Sequence, residues 1–382
     1  MRKDLVFVLL ALFLCAGCNG NKKKMNGEHD LDAANITLDD HTISFYYNWY
    51  GNPSVDGEMK HWMHPIALAP GHSGDVGAIS GLNDDIACNF YPELGTYSSN
   101  DPEIIRKHIR MHIKANVGVL SVTWWGESDY GNQSVSLLLD EAAKVGAKVC
   151  FHIEPFNGRS PQTVRENIQY IVDTYGDHPA FYRTHGKPLF FIYDSYLIKP
   201  AEWAKLFAAG GEISVRNTKY DGLFIGLTLK ESELPDIETA CMDGFYTYFA
   251  ATGFTNASTP ANWKSMQQWA KAHNKLFIPS VGPGYIDTRI RPWNGSTTRD
   301  RENGKYYDDM YKAAIESGAS YISITSFNEW HEGTQIEPAV SKKCDAFEYL
   351  DYKPLADDYY LIRTAYWEDE FRKARSASED VQ

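Results

Sequence analysis

Three carboxylates fall at the ends of short apolar runs, where a chain seeking only stability has no use for them. Glu154 closes KVCFHIEP, Asp194 closes KPLFFIYD, and Glu329 follows YISITSFN, with Glu332 three residues on. Aromatic and polar residues crowd the same positions: Tyr46 to Tyr50, Trp124 and Trp125, Tyr193, Tyr246 to Tyr248, Asn328, Trp330 and His331. Buried unpaired charge is costly, so such carboxylates signal chemistry when they converge. On one mouth, repulsion and desolvation raise at least one pKa, which is how an acid catalyst is made. Paired acids among Trp and Tyr suit glycosidic-bond chemistry, in which one group protonates a leaving oxygen and the other acts as base or nucleophile. Spacing alone allows Glu154 with Glu329, or Glu329 with Glu332.

Other chemistries lack their residues. His331-Glu332-Gly333-Thr334-Gln335 begins like H-E-x-x-H, but Gln335 stands where the second histidine must be, which excludes a zincin. His61 and His64 bring two imidazoles together without a third ligand, so no metal is expected. Neither a G-x-S-x-G elbow nor a P-loop nor a dinucleotide fingerprint occurs, and no cofactor is implied. Asp and Glu outnumber Lys and Arg by 50 to 37, a net charge of −13 that argues against a nucleic-acid partner. Aromatics reach 14%, with 24 Tyr and 10 Trp, which suits ring stacking on sugars and equally an aromatic core.

These side chains need a scaffold that brings strand ends together. Eight strand-like runs recur, at 44–50, 117–125, 148–155, 187–194, 222–229, 244–249, 275–281 and 321–328. Most are continuously apolar, as parallel strands covered on both faces must be. Amphipathic stretches lie between them at 101–116, 134–145, 160–175, 200–208, 260–273 and 303–317, and another closes the chain at 352–374. The 231–241 connection is too short to assign a helix. Eight such alternations predict a single (β/α)8 TIM barrel; a doubly wound sheet would carry a Gly-rich phosphate turn after its first strand, and Tyr50-Gly51-Asn52-Pro53 is none. The barrel needs about 250 residues, and the surplus of this 382-residue chain sits mainly in long connections after strands 1 and 7, on the face where active sites form.

The first 18 residues read as an address. Arg2 and Lys3 precede a 13-residue apolar run that is too short to span a bilayer, for which about 20 residues are needed. Cys15-Ala16-Gly17-Cys18 resembles a bacterial lipobox, with Cys18 the lipidation site and Cys15 where Leu is usual; an ordinary cleaved signal is the alternative. The expected organisation is a signal at 1–18, a flexible tether at 19–40, a catalytic domain at 41–376 and a tail at 377–382. The protein would then be exported and held by lipid alone, at the cell surface or the periplasmic face of an outer membrane. Cys88, Cys150, Cys241 and Cys344 are widely scattered, and read as free thiols better than as a zinc cluster.

At Ser326-Phe327-Asn328-Glu329-Trp330-His331-Glu332-Gly333-Thr334-Gln335-Ile336-Glu337-Pro338 the sequence resembles glycoside hydrolase family 99, the endo-α-1,2-mannosidases and endo-α-1,2-mannanases. Tyr46 to Tyr50, Trp124-Trp125-Gly126, His152 to Pro155 and Gly282 to Tyr285 fit the same resemblance, which runs from about Phe45 to Trp367. It implies a retaining enzyme that cuts internal α-1,2-mannosidic bonds of α-mannan or mannose-containing oligosaccharides without a metal. It also implies an unusual route, in which the substrate's own 2-hydroxyl attacks the anomeric carbon to give a 1,2-anhydro sugar. Glu329 would then be the base for that hydroxyl and Glu332 the general acid. Trp124 or Trp125 would stack on the sugar at the non-reducing side, and Tyr46, Tyr248 and Glu154 would bind the sugar at the cut, with Tyr193 and Asp194 beside them. Asn328 and His331 would orient the carboxylates, and Arg289 and Trp293 would meet sugars across the cut. The residues by themselves also admit a glycan-binding protein without catalysis, or a barrel hydrolase of another linkage.

Overall fold

A computed structural model describes residues 38–74 and 76–379. Eight parallel strands alternate with eight helices. The strands are β1 (Asp39–Tyr46), β2 (Val117–Trp124), β3 (Lys148–Ile153), β4 (Lys187–Ile192), β5 (Leu223–Leu227), β6 (Gly244–Tyr246), β7 in two pieces (Leu276–Ile278 and Ser280–Val281) and β8 (Ile322–Ile324). Each strand pairs with the next, and β1 also pairs with β8. The first piece of β7 pairs with β6 and the second with β8, so the ring closes through β7. Pro279, which has no N–H to donate, sits where the strand changes partner, and its carbonyl accepts from Ser323 N at 3.0 Å. This is a (β/α)8 barrel.

Around it run α1 (Pro102–Ala115), α2 (Asn132–Lys144), α3 (Pro161–Tyr175), α4 (Pro200–Phe207), α5 (Leu234–Thr239), α6 (Trp263–Ala272), α7 (Lys305–Ser317) and α8 (Tyr359–Glu379). Local sequence fixes the ends. At α1 the Asp101 carboxylate accepts from Glu103 N at 2.8 Å, Pro102 takes the first position, and Asn116 closes the helix at φ 56°. Ser160 and Thr163 form a reciprocal capping box at the start of α3. The 231–241 connection does hold a helix, the six-residue α5, which buries Leu234 and Ile237.

The first strand lies earlier than expected. It starts at Asp39 and ends at Tyr46, so residues 39 and 40, read as tether, belong to the barrel. Polar residues disguised it, because each has a partner: Asp39 pairs with Arg375, His41 Nδ1 meets Ser320 O at 2.8 Å, and Thr42 donates to Glu368 at 2.5 Å. Residues 47–50 leave the strand, and of these Tyr47 and Trp49 line the mouth. At the other end α8 runs on to Glu379, past the boundary expected at 376. The signal, Cys18 and the rest of the tether to residue 37 lie outside the described residues. Among the described residues no helix is long and apolar enough to cross a membrane. Cys88, Cys150, Cys241 and Cys344 are free.

The long connections after β1 and β7 meet over the mouth. Ala67 N donates to Ile290 O at 2.7 Å, and the Arg289 guanidinium reaches Asp85 at 2.5 Å and Ile86 O at 3.0 Å. Inside the barrel Phe45 packs against Phe191, His152, Tyr246 and Tyr248 at 4.6 to 5.6 Å between centroids. The floor of the mouth is thus aromatic.

Glu368 on α8 is wholly buried between Thr42 and Tyr311. Burial pushes its carboxyl up from 4.5 to about 8. The folded chain therefore binds this proton more tightly than the unfolded one, and stability falls as pH rises from about 4.5 to about 8. Thermal unfolding followed between pH 5 and 8 should show this loss in the parent and a flatter profile in Glu368→Gln. Parallel profiles would refute the assignment.

Candidate active site

After β8 the chain makes a closed loop. Ser326 N donates to Thr334 O at 2.9 Å, the Ser326 and Thr334 hydroxyls meet at 2.9 Å, and Ile336 N returns to Ser326 O at 3.0 Å. Gly333 turns the loop at φ 61°, and an added Cβ there would lie 2.6 Å from Ile286 Cγ2. Below the loop, wholly buried Glu337 accepts from Trp330 Nε1 and Tyr97 OH, each at 2.9 Å, and its other oxygen lies 3.1 Å from His108 Nε2. Tyr50 OH donates to Asn328 O at 3.1 Å. The loop is built from both ends and from beneath.

It carries Glu329 and Glu332. The Glu329 side chain is 5% exposed; its Oε1 accepts from His331 N at 3.0 Å and lies 3.5 Å from His331 Nδ1. Its own amide donates to Ser326 Oγ at 2.7 Å. His331 is fixed in turn by a 2.5 Å contact of Nε2 with His61 O. Glu332 is more open, at 23%, and its Oε1 is 3.3 Å from Arg291 Nη1. That guanidinium also bonds the wholly buried Asp287 at 3.0 Å, which accepts from Tyr285 OH and Asn294 Nδ2 as well, both at 2.9 Å.

Burial drives both glutamates well above the ordinary carboxylate range. At Glu332 the Glu329 charge pushes further up and Arg291 pulls back; at Glu329 the His331 amide and Arg291 pull back while Glu154 pushes up. Desolvation brings both carboxyls to titrate near neutral pH, and at Glu332 the Glu329 charge adds to it. One can then take a proton while the other gives one. Burial also lowers His61 to about 3 and His331 to about 4, so these imidazoles are neutral.

Tyrosines complete the floor. The Tyr47 and Tyr248 hydroxyls touch, and the Tyr193 ring packs edge-on against Tyr248 at 4.7 Å. Glu154 Oε1 lies 3.1 Å from His152 Nδ1, and burial first, then the Glu154 and Glu329 charges, push the Tyr47 hydroxyl's pKa up. Three bulky residues at the mouth adopt positive φ: His61 at 58°, Asp194 at 48° and Tyr248 at 51°, a costly conformation that concentrates at working sites. Beside the pair opens a cleft of about 600 Å³ whose walls include Trp49, His61, Met63, His64, Trp125 and Tyr130. Trp49 stacks on His61 at 4.6 Å with an interplanar angle of 4°. Among the described residues no group of three or more His, Cys, Asp or Glu could hold a metal ion.

The structure brings together Glu329, Glu332, Glu154, Tyr193, Tyr248, His331 and Trp125. It corrects four other expectations and leaves Asp194 and Trp293 at the edge of the site. Tyr46 faces outward, its hydroxyl 2.9 Å from His108 Nδ1 on α1 and its ring against Phe327; Tyr47 is the strand-end tyrosine in the mouth. Trp124 likewise faces outward, bonded to Asn167 on α3 at 2.7 Å and packed on Phe151 and Tyr170. Arg289 ties the two long loops together and stacks on Phe347, while Arg291 is the arginine that reaches Glu332. Asn328 grips the Tyr47 backbone at both N and O rather than a carboxylate. Asp194 faces Arg159 and Tyr196, to one side of the pair. Trp293 sits on the rim, 42% exposed, with Nε1 on Ala67 O. Sequence reasoning missed Tyr47, Trp49, Asp287 and Arg291; strand parity from Phe45, an inward residue, would have selected Tyr47 over Tyr46.

Removing the Tyr47 hydroxyl should therefore lower kcat/KM about tenfold or more, while Tyr46→Phe should lower the melting temperature and leave kcat/KM within about twofold. Equal kinetic losses would refute the facing assigned here. Arg291→Met removes a cation from Glu332, so the protonated acid should persist to higher pH and the basic limb of the kcat/KM profile should move up. A limb that stays or moves down would show that Arg291 does not act on Glu332.

The comparisons agree with this geometry. A family model described as glycosyl hydrolase family 99 matches residues 37–373. A mouse protein named glycoprotein endo-alpha-1,2-mannosidase is 47% identical over 349 residues, covering 87% of this chain and 75% of its own. A human glycoprotein endo-alpha-1,2-mannosidase-like protein is also 47% identical, over 87% of this chain and 76% of its own. Among solved structures, an endo-alpha-mannosidase of this family from Bacteroides thetaiotaomicron is 99% identical, with TM-score 0.88, over 89% of this chain and all of that one. With the match spanning nearly the whole described barrel, this chain belongs to glycosyl hydrolase family 99.

Proposed function

We propose that this chain is an endo-acting, retaining α-mannosidase that cleaves internal α-1,2-mannosidic bonds of α-mannan or mannose-rich glycans and releases an α-1,3-linked disaccharide. The observation that carries the reading is the desolvated pair Glu329 and Glu332 on one pinned loop, whose His331 packs against Trp49 and His61 of the aromatic cleft. The activity in the names of its relatives supports the mannosidic linkage.

In an α-mannoside the 2-hydroxyl is axial and trans to the leaving group, so it can reach the back of C1. Glu329, ionised and held by the His331 amide, takes the 2-hydroxyl proton. The O2 lone pair forms a bond to C1 while the C1–O bond to the leaving sugar breaks, and Glu332 gives its proton to that departing oxygen. A 1,2-anhydro sugar remains. Water then attacks C1, Glu332 takes the water proton, the C1–O2 bond opens, and O2 recovers a proton from Glu329. Two inversions retain configuration, and each carboxyl ends as it began. Trp125 offers an apolar face to the sugar on the non-reducing side, and Tyr47, Tyr248 and Glu154 offer hydroxyl partners at the cut. Arg291 favours ionised Glu332 until a sugar in the leaving-group position separates them.

Residues 1–18 support export and lipidation at Cys18, which would place the barrel at the cell surface or the periplasmic face of an outer membrane.

The test uses yeast α-mannan and a defined α-1,3/α-1,2-linked mannotetraose with chelator present. Disaccharide release is expected. Glu332→Gln should keep its near-UV circular dichroism and lose roughly 10²–10⁴ in kcat on these sugars. Normal turnover in that variant, or monosaccharide as the sole product, would overturn the reading.

A further inference from the structure

Arg301, at the end of the connection after β7, is only 9% exposed, yet among the described residues no carboxylate bonds its guanidinium. Three rings enclose it instead, Phe90 at 4.7 Å and Tyr352 and Tyr360 each at 4.6 Å from their centroids. Such stacking suits a planar, weakly hydrated cation and holds it flat. From that cage Nη2 donates to Gly333 O at 2.9 Å and to Gln335 O at 2.8 Å. These carbonyls belong to the limb of the loop that follows Glu332.

The two limbs are held differently. Glu329 is fixed by its own loop, through Ser326 and His331. Glu332 is tethered at its own backbone by Ile286 N on its carbonyl at 2.8 Å and by its amide on the Glu329 carboxylate, and then the chain passes to Gly333. A cavity of about 170 Å³ lies behind that glycine, bordered by Tyr285, Ile286 and Arg301. Without the guanidinium the limb after Glu332 has room to relax into it. Gly284 keeps the arrangement possible, since an added Cβ there would stand 2.8 Å from Arg301 Cγ.

We infer that Arg301 is a positioning residue for the proton donor: caged by three rings, it pins the Gly333 and Gln335 carbonyls and so sets where the Glu332 carboxyl meets the leaving oxygen. This rests on Glu332 being the general acid, as proposed above. Lysine does not replace it, because an ammonium has no plane to fill the cage.

The experiment compares two substrates that differ in their need for a proton. One is the α-1,3/α-1,2-linked mannotetraose, whose leaving sugar must be protonated. The other is the corresponding α-1,3-linked disaccharide α-fluoride, whose fluoride leaves without a donor. In Arg301→Met, kcat on the mannotetraose should fall about 100-fold and kcat on the fluoride less than about tenfold, with KM for the fluoride unchanged within about twofold. Arg301→Lys should show the same bias at smaller size. Should neither fold by circular dichroism, the ratio is read in Phe90→Leu, which loosens the cage and strands no donor; a bias toward the fluoride of at least about threefold is expected there. Glu332→Gln runs alongside as the reference. If it shows the bias and the Arg301 and Phe90 variants lose both substrates equally or neither, the positioning role is overturned. If Glu332→Gln itself shows no bias, the general-acid assignment fails and the inference falls with it.

Discussion

Two carboxyl groups held on one loop and largely out of bulk water are the constraint on which this structure turns. Left to itself, such a pair would separate or be hydrated, since each buried charge loses several kcal/mol of solvation. The barrel mouth prevents both. Glu329 has almost no exposed surface and bonds within its own loop, while Glu332 keeps a quarter of its side chain open and leans on Arg291. That asymmetry matches the proposed division of labour, in which the enclosed group works on the bound sugar and the open one exchanges protons with a leaving oxygen and with water.

Holding the pair requires anchors in the layer between barrel and helices. Glu337 receives Trp330 and Tyr97 and meets His108, whose other ring nitrogen meets Tyr46. Breaking such a buried network by removing one partner costs about 3–5 kcal/mol. Arg301 grips the other limb of the loop. Several residues of the motif from Ser326 to Pro338 therefore serve to hold its two glutamates, and Trp330, Gly333 and Glu337 never face the cleft walls. Loops after β1 and β7, joined by Arg289 and by Ala67 to Ile290, supply those walls.

The number and order of the strands, and of the helices other than the six-residue α5, were legible because continuous apolar runs alternate with amphipathic ones. The facing of residues within strands was not. Tyr46 and Tyr47, like Trp124 and Trp125, are adjacent and both apolar, and parallel strands buried on both faces show no alternation to tell inside from outside. A slip of one residue sends a side chain from the mouth to the helix layer, which is what happened at Tyr46, while Trp124 and Trp125 stayed undecided. Arg289 and Arg291 failed to separate for a related reason, since an irregular connection has no period. Spacing alone left Glu154 and Glu332 open as partner of Glu329 and the resemblance at 326–338 chose Glu332, which shares with Glu329 one short loop closed by Ser326 and Thr334. The strand at 39–46 was hidden by Asp39, His41 and Thr42, polar residues whose partners come from more than 270 positions away.

Neither glutamate needs to bond to the sugar if the substrate's own 2-hydroxyl is the nucleophile, and this is the claim that separates the account from ordinary retaining chemistry. It can be tested by intact-protein mass spectrometry with a disaccharide fluoride whose 2-hydroxyl at the cut is replaced by fluorine. The account predicts no turnover and an unchanged protein mass, because the attacking oxygen is gone. A mass increase equal to the fluorinated disaccharide, mapped to Glu329 or Glu332, would contradict it.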